Sequence, residues 1–134
     1  MKGGFNITKK ILAPTDGSSA SIKAIKKAAD IAQKQSAELV VSNVQPTHTA
    51  TSSASRAEKV FEPVKKELSG MELNVSYKIL EGNPAEEICK YAKREKFDLI
   101  VMGARGLSGV KKFFLGSVTD KVIHHSSVSV MVIR

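Results

Sequence analysis

The sequence lacks the features of a secreted, membrane-spanning or base-stacking protein. Cys89 is its only cysteine, so no internal disulfide can form, and this favours an intracellular chain. No apolar run approaches the roughly 20 residues that a membrane span needs, and residues 1–6 lack the apolar stretch of a secretory signal. There is no tryptophan, and five phenylalanines and two tyrosines leave few rings for stacking on bases. We therefore expect a cytoplasmic protein.

Positive charge, in contrast, is in excess, and the formal net charge is +8 at pH 7. Most of the lysines lie on the polar faces of predicted helices, and they are not interleaved with aromatic residues. This distribution predicts a general affinity for anions but no specific nucleic-acid partner. The lysines concerned are Lys9, Lys10, Lys23, Lys26, Lys27, Lys65, Lys66, Lys93, Lys96, Lys111 and Lys112.

The length and composition are those of one globular domain. A chain of 134 residues with 42% hydrophobic and 25% charged residues can bury a core of its own. We find no internal repeat and no second domain, so residues 1–134 are predicted to form a single unit.

Short apolar strands alternate with amphipathic helices along the chain. Ser18 is the predicted cap of the first helix, and Asn83-Pro84 supplies a cap and a first-turn proline for the third. This alternation predicts an α/β fold, with a parallel sheet, helices on both faces and right-handed crossovers. The predicted strands are Lys10–Pro14, Leu39–Val44, Glu72–Leu80, Phe97–Met102 and Val128–Ile133.

The region between the second and third strands is the least regular. Gln45–Ser55 is rich in Thr, Ser and Ala without a period, which predicts a mobile surface loop. The helix that follows contains Pro63, so we expect it to be kinked or split there.

The segment Gly103–Ser117 carries the strongest chemical pattern. Its glycines allow positive φ and close approach of a ligand to the backbone. Gly116-Ser117 opens a predicted helix, whose free N–H groups and dipole favour a phosphate. Arg105 and Lys111-Lys112 add positive charge, and the segment leaves the carboxyl end of a strand, where open α/β sheets bind ligands. The alternative is that the glycines only shape a surface loop.

Neither a Walker A loop nor a Gly-x-Gly-x-x-Gly fingerprint after the first strand is present. Instead, Gly103-x2-Gly106-x9-Gly116-Ser117 resembles the nucleotide-binding pattern of the ATP-binding branch of the universal stress protein family. Lys10–Ser18 resembles the opening strand and turn of that family, Asp98–Gly103 its fourth strand and Ser127–Ile133 its closing strand. The resemblance thus extends over nearly the whole chain.

The resemblance implies a Rossmann-like sheet, of the adenine-nucleotide alpha hydrolase-like kind, with strand order 3-2-1-4-5. The ligand would be ATP, with Mg²⁺ or Mn²⁺ as an accompanying ion, bound at the switch between strands one and four. By position, the first three matching residues would line the adenine and ribose side, the next four the ribose and phosphates, and the last three the phosphates. They are Pro14, Asp16 and Val44; Met102, Gly103, Arg105 and Gly106; and Gly116, Ser117 and Val118. Many relatives have His-Val where this chain has Asn43-Val44, a departure next to one of these contacts.

Two of these residues have alternative structural roles. Asp16 offers a carboxylate to an amine or a sugar hydroxyl, or it is a turn residue or helix cap, although Ser18 is better placed to cap the helix. Ser117 is a phosphate ligand or the N-cap of the last helix.

Three kinds of function are compatible with the pattern. We favour a regulatory protein that binds ATP over a slow ATPase, because neither Asp16 nor Asp120 is marked as a catalytic base and no catalytic residue is predicted. The third hypothesis is an interaction protein that works without nucleotide, but the glycine spacing typical of binding is intact.

Outside this segment we predict no metal site and one interface. Adjacent residues on a helix do not face the same way, so His124-His125 is a poor metal pair, and a histidine suits a helix C-terminus electrostatically. Cys89 is predicted to be a small core residue. An apolar strand at a sheet edge invites pairing, and the family resemblance also suggests a homodimer through Val128–Ile133.

Overall fold

Strands and helices alternate along the chain in the computed structural model, which describes residues 8–47, 53–105 and 115–134. Each predicted strand is present, with ends that differ by at most two residues from those expected. The elements are β1 (Lys10–Pro14), α1 (Ser19–Gln35), β2 (Glu38–Gln45), α2 (Ser53–Leu68), β3 (Asn74–Glu81), α3 (Pro84–Arg94), β4 (Leu99–Gly103), α4 (Ser117–His125) and β5 (Ser129–Ile133).

The five strands form one parallel sheet in the order β3-β2-β1-β4-β5. The predicted order is therefore confirmed. From β1 the chain winds first towards β2 and β3 and then crosses to β4 and β5 on the other side. Where β1 and β4 lie side by side, the connections leave in opposite directions, which opens a crevice at the carboxyl ends of the two strands.

The two faces of the sheet bury two separate clusters of side chains. Ile11 and Ala13 of β1 pack against α1 and α2, and the largest fully buried side chain of that cluster is Phe61. Leu12, between them in sequence, points to the opposite face and packs with Ile88 of α3 and Val122 of α4. Because successive side chains of a strand alternate between faces, strands covered on both sides are apolar throughout. The helices therefore cover both faces, as predicted.

Two helix starts follow the sequence prediction. Ser18 caps α1 by accepting a hydrogen bond from the N–H of Ser21 at 3.2 Å. Asn83 caps α3 by accepting one from the N–H of Glu86 at 3.1 Å, with Pro84 in the first turn. Both caps lie at the carboxyl end of the sheet, and they fix the directions in which α1 and α3 leave it.

The second helix differs from the prediction. α2 is continuous from Ser53 to Leu68 with Pro63 inside it, so of the two expected alternatives, a kink or a split, the split is wrong. Pro63 lies on the exposed face, while Phe61 and Val64 anchor the helix in the core. The helix also includes residues 53–55 of the predicted loop, and residues 48–52 of that loop lie outside the described residues.

No helix in the described ranges is long and apolar enough to cross a bilayer.

Candidate functional site

A cavity of about 310 Å³ opens at the carboxyl ends of β1, β2 and β4. Its volume is within the range of small-molecule sites. Every predicted site residue that the structure describes lines it, and Gly106 lies outside the described residues. The predicted residues in its wall are Pro14, Asp16, Val44, Met102, Gly103, Arg105, Gly116, Ser117 and Val118.

The turn between β1 and α1 forms one wall of the cavity. Oδ1 of Asp16 accepts a hydrogen bond from the N–H of Ser18 at 2.9 Å. Gly17, between them, has a φ of 87°, a conformation that favours glycine. Behind the turn, the buried hydroxyls of Thr15 and Ser21 are hydrogen-bonded at 2.7 Å. Asp16 is therefore a turn residue, as one alternative held, and it is also an exposed residue at the cavity wall.

At the end of β2, the backbone N–H and C=O of Val44 lie at the cavity, and we call these two groups the peptide edge of Val44. The carbonyl of Ser42 accepts from the N–H of Thr15, on the β1 side, at 2.8 Å, whereas that of Gln45 accepts from the N–H of Gly82, beyond β3, at 2.9 Å. Alternate residues of a parallel strand direct their peptide groups to opposite neighbours. The N–H and C=O of Val44 therefore point to the β1 side, although β1 itself ends at Pro14.

The start of α4 forms the opposite wall. Gly116 is the N-cap and Ser117 is the first helical residue, so the alternative that Ser117 is the N-cap is wrong. The carbonyl of Gly116 accepts from the N–H of Asp120 at 2.9 Å, and this bond begins the helix. Because glycine has no side chain, the N-cap residue supplies no oxygen to the first-turn N–H groups of α4. These groups begin at Ser117, which is exposed at the cavity wall.

Gly103 is a glycine for a reason other than ligand contact. A Cβ atom on Gly103 would lie 2.8 Å from the carbonyl oxygen and 2.9 Å from the carbonyl carbon of Ala20. The end of β4 thus packs directly on the backbone of the first turn of α1. The carbonyl of Gly103 also accepts from the hydroxyl of Thr119 at 2.8 Å, which ties the start of α4 to the same strand end.

The sequence prediction missed part of the wall. Thr15, Asn43 and Pro84 adjoin predicted strand or helix ends, so their position in the chain was a usable signal. In contrast, the contributions of Ser21, Ile88 and Thr119 depend on how α1, α3 and α4 pack against the sheet. The residues missed are Thr15, Ser21, Asn43, Pro84, Ile88 and Thr119.

In the part of the chain that the structure describes, the cysteine and the histidines lie outside this wall. Cys89 is partly buried against the core on the α3–α4 face, and burial raises the pKa of its thiol. A ring nitrogen of His124 lies 2.8 Å from the backbone carbonyl of Asp120, within its own helix. In residues 8–47, 53–105 and 115–134, no three His, Cys, Asp or Glu side chains are grouped as a metal site requires.

Comparisons with known proteins agree with this architecture. The model of the universal stress protein family matches residues 8–134. Universal stress protein MJ0531 of Methanocaldococcus jannaschii is 34% identical, with all of this chain and 86% of that protein covered. The structure of universal stress protein UspA from Lactobacillus plantarum has a TM-score of 0.84 and 28% identity, covering 97% of this chain and 100% of the other.

A further structure shows the same fold at lower identity. It is a universal stress protein in complex with cAMP, with a TM-score of 0.80 and 22% identity, and the match covers 96% of this chain and 98% of that chain. With a family model that matches almost the full length and a relative at 34% identity, this chain belongs to the universal stress protein family.

Proposed function

We propose that this protein is a stress-response regulator that binds an adenine nucleotide, ATP in particular, in the cavity between β1, β2 and α4. The observation that carries the proposal is the different chemistry of the two sides of the cavity. The peptide edge of Val44 lies on the β2 side of β1, and the start of α4 lies on the β4 side. A molecule with a base at one end and phosphates at the other matches this arrangement.

The β2 side suits a flat, nitrogen-containing ring. Pro14, Ile88 and Met102 provide apolar wall, which favours burial of a ring over burial of a charged group. The adjacent peptide of Val44 offers one donor and one acceptor, and the edge of adenine carries both an amino donor and ring-nitrogen acceptors. Asp16, at the nearby turn, would accept a hydrogen bond from a ribose hydroxyl.

The α4 side suits phosphates. N–H groups at a helix start and the positive end of the helix dipole both attract anions. Arg105 is exposed on the same wall, and its guanidinium can only donate hydrogen bonds. Asp120, the acidic residue of the first turn, is exposed and lies 3.6 Å from the ring of His124 on the next turn. The groups that can bind phosphates on this side are thus the first-turn N–H groups of α4 and the guanidinium of Arg105.

The groups that line the cavity favour binding of a nucleotide over its hydrolysis. Hydrolysis needs an in-line water and stabilisation of charge on the transferred phosphoryl group. The features described above instead match the base, the ribose and the phosphates. The cAMP complex of a protein with the same fold supports an adenine nucleotide as the class of ligand.

Isothermal titration with ATP, with and without Mg²⁺, tests the proposal. Gly116→Val would place a branched side chain where the phosphates approach, so we expect it to abolish binding while the protein stays folded. Ala54→Val is the control, because it introduces the same branched side chain at an exposed position of α2, away from the cavity wall. Wild-type protein that binds no ATP, or a Gly116→Val variant that binds as the wild type does, would contradict the proposal. Phosphate release within minutes that disappears in Asp16→Ala would instead identify an ATPase.

We also propose that the protein forms a homodimer through β5. This strand is at one edge of the sheet, and its apolar residues from Val130 to Ile133 remain partly exposed. The other edge, β3, is more polar and exposes Asn74, Ser76 and Lys78. An apolar edge strand is a template for pairing with a second copy, whereas charged and polar residues oppose such pairing.

Light scattering at micromolar concentration tests the dimer. The wild type should have twice the monomer mass, and Val130→Lys should shift the mass to that of a monomer because a charge would be buried in the pairing. Ser76→Lys places the same charge on the opposite edge and should leave the dimer intact. A monomeric wild type would refute the proposal.

A further inference from the structure

The backbone hydrogen bonds between β1 and β2 stop where a side chain takes the next backbone acceptor. Its last bond runs from the N–H of Thr15 to the carbonyl of Ser42 at 2.8 Å. In a continued parallel ladder, the next bond would join the N–H of Val44 to the carbonyl of Thr15. The side-chain amide of Asn43 donates to that same carbonyl at 2.8 Å. Asn43 is only 4% exposed, so its amide is enclosed at this position.

The orientation of the Asn43 amide is fixed from α2. Nε of Arg56 donates to Oε1 of Gln45 at 2.9 Å, and Nε2 of Gln45 donates to Oδ1 of Asn43. A guanidinium is a donor only, so it selects the carbonyl oxygen of Gln45 and directs the amide nitrogen of Gln45 towards Asn43. The amide nitrogen of Asn43 is then directed to the carbonyl of Thr15.

We propose that Asn43 is a positioning residue that keeps the peptide edge of Val44 open for the ligand's base. By occupying the carbonyl of Thr15, it competes with the Val44 N–H that would otherwise extend the ladder. This inference rests on the proposed function, in which that N–H and the neighbouring C=O contact the adenine edge. It also explains how a peptide edge inside a continuous sheet faces the cavity.

The location of the chain of amides supports a role in binding. Thr15, Asn43 and Val44 all line the cavity. Gln45 and Arg56, which orient Asn43, are not part of the cavity wall. Gln45 is 7% exposed, so the support for Asn43 is itself buried. A buried Asn needs hydrogen-bond partners, and here the partner it takes is the one that the sheet would use next.

Hydrogen exchange of the Val44 amide in the ligand-free protein tests the ladder directly. We expect the wild-type amide to exchange quickly for a residue inside a strand. In Asn43→Ala, the carbonyl of Thr15 becomes available, and we expect Val44 exchange to slow by about tenfold or more, the effect of one added backbone hydrogen bond. Ser42→Ala is the control, because the buried Ser42 hydroxyl has no hydrogen-bond partner among the described residues and its loss should leave Val44 exchange unchanged.

Binding measurements then separate this inference from the proposed function. Asn43→Ala should weaken ATP binding by about fivefold to tenfold, the loss of one hydrogen bond, and leave the affinity for inorganic tripolyphosphate unchanged. Equal losses for both ligands would indicate a general structural role and overturn the inference.

Two exchange results would also overturn the inference. One is slow exchange of the Val44 amide in the wild type, which can be measured without any variant. The other is a Val44 exchange rate in Asn43→Ala that equals that of the wild type. If Val44 responds as expected but ATP does not bind the wild type, the proposed function is wrong while the competition between Asn43 and Val44 stands.

Discussion

Of the four helices that begin at the carboxyl end of the sheet, α1, α3 and α4 contribute to the cavity wall, and these three begin in two different ways. α1 and α3 are closed by their own side chains, with Ser18 and Asn83 accepting bonds from first-turn N–H groups. α4 begins at Gly116, a residue with no side chain to offer. The capped helices surround the cavity, and the start of the helix without a side-chain cap forms one of its walls.

This difference distinguishes Ser18 and Asn83, which stabilise the fold by capping their helices, from Gly116, which leaves the first-turn N–H groups of α4 to a ligand. A serine or asparagine cap stabilises a protein by about 1 kcal/mol relative to alanine. An anion at a helix N-terminus contributes about 0.3–1 kcal/mol when exposed and up to about 2 kcal/mol when partly buried. Glycine is itself an acceptable N-cap, so the stabilisation missing at Gly116 is only a few tenths of a kcal/mol relative to serine, which a bound phosphate would match or exceed.

Giving α4 a charged cap should have the largest effect. In Gly116→Asp, the carboxylate would bond the first-turn N–H groups as Ser18 and Asn83 do in their helices, and it would repel phosphates. We expect ATP affinity to fall by about 100-fold, or about 2.7 kcal/mol, with no loss of thermal stability. Isothermal titration and a thermal melt measure the two quantities.

Asn83→Asp is the control for that variant. It introduces the same negative charge at the start of α3, where a side-chain cap is already present. ATP affinity should change little in this variant. An equal loss in both variants would show that net charge, not the start of α4, determines binding.

Substitution of Gly103 should lower the stability of the protein, in contrast to substitution of Gly116. In Gly103→Ala, the new methyl group would lie 2.8 Å from the backbone oxygen of Ala20, so β4 and α1 must move apart. Overpacking of this kind costs about 1–3 kcal/mol, which chemical denaturation would measure. Because the clash is with backbone, adding Ala20→Gly should not restore stability. Full rescue by that second change would contradict this explanation.

The parallel sheet with helices on both faces was predictable because its determinants are local, whereas the strand order was implied by the family resemblance. Alternating strands and helices specify a parallel sheet, and side-chain oxygens such as those of Ser18 and Asn83 mark where helices start. For α4, the sequence left Ser117 as either a phosphate ligand or the N-cap, and only the structure shows that Gly116 takes the capping position. Pro63 suggested a break, but the burial of Phe61 and Val64 compensates for one missing hydrogen bond.

The wall of the candidate site was predictable where it follows a strand end or falls in the glycine pattern that resembles the family's, which includes Gly116 and Ser117. Val44 and Met102 adjoin the ends of apolar runs, so a sheet model places them at the carboxyl edge. The wall contributed by Ile88 and Thr119 depends on helix packing, which no local pattern encodes. The same is true of the bonds from Arg56 through Gln45 to Asn43, since they join α2 to β2.

Removing a cap from a closed helix should have a moderate effect. Ser18→Ala takes away the oxygen that accepts from Ser21, so we expect the free energy of unfolding to fall by about 1 kcal/mol. Urea denaturation measures this change. Ser18→Gly should cost only a few tenths of a kcal/mol relative to the wild type, because glycine is itself an acceptable N-cap. If both variants lose the same amount, capping is not the role of Ser18.

The smallest expected effect comes from a neutral cap on α4. Gly116→Ser supplies an oxygen to one first-turn N–H without adding charge, and serine exceeds glycine as an N-cap by only a few tenths of a kcal/mol. The ligand-free protein should become more stable by that amount. ATP must then displace the serine oxygen, so its affinity should fall by less than about threefold, because about 1.4 kcal/mol corresponds to a factor of ten. A gain in stability with unchanged affinity would mean that the phosphates do not use the N–H groups that the cap occupies, and the comparison between the three helix starts would lose its functional meaning.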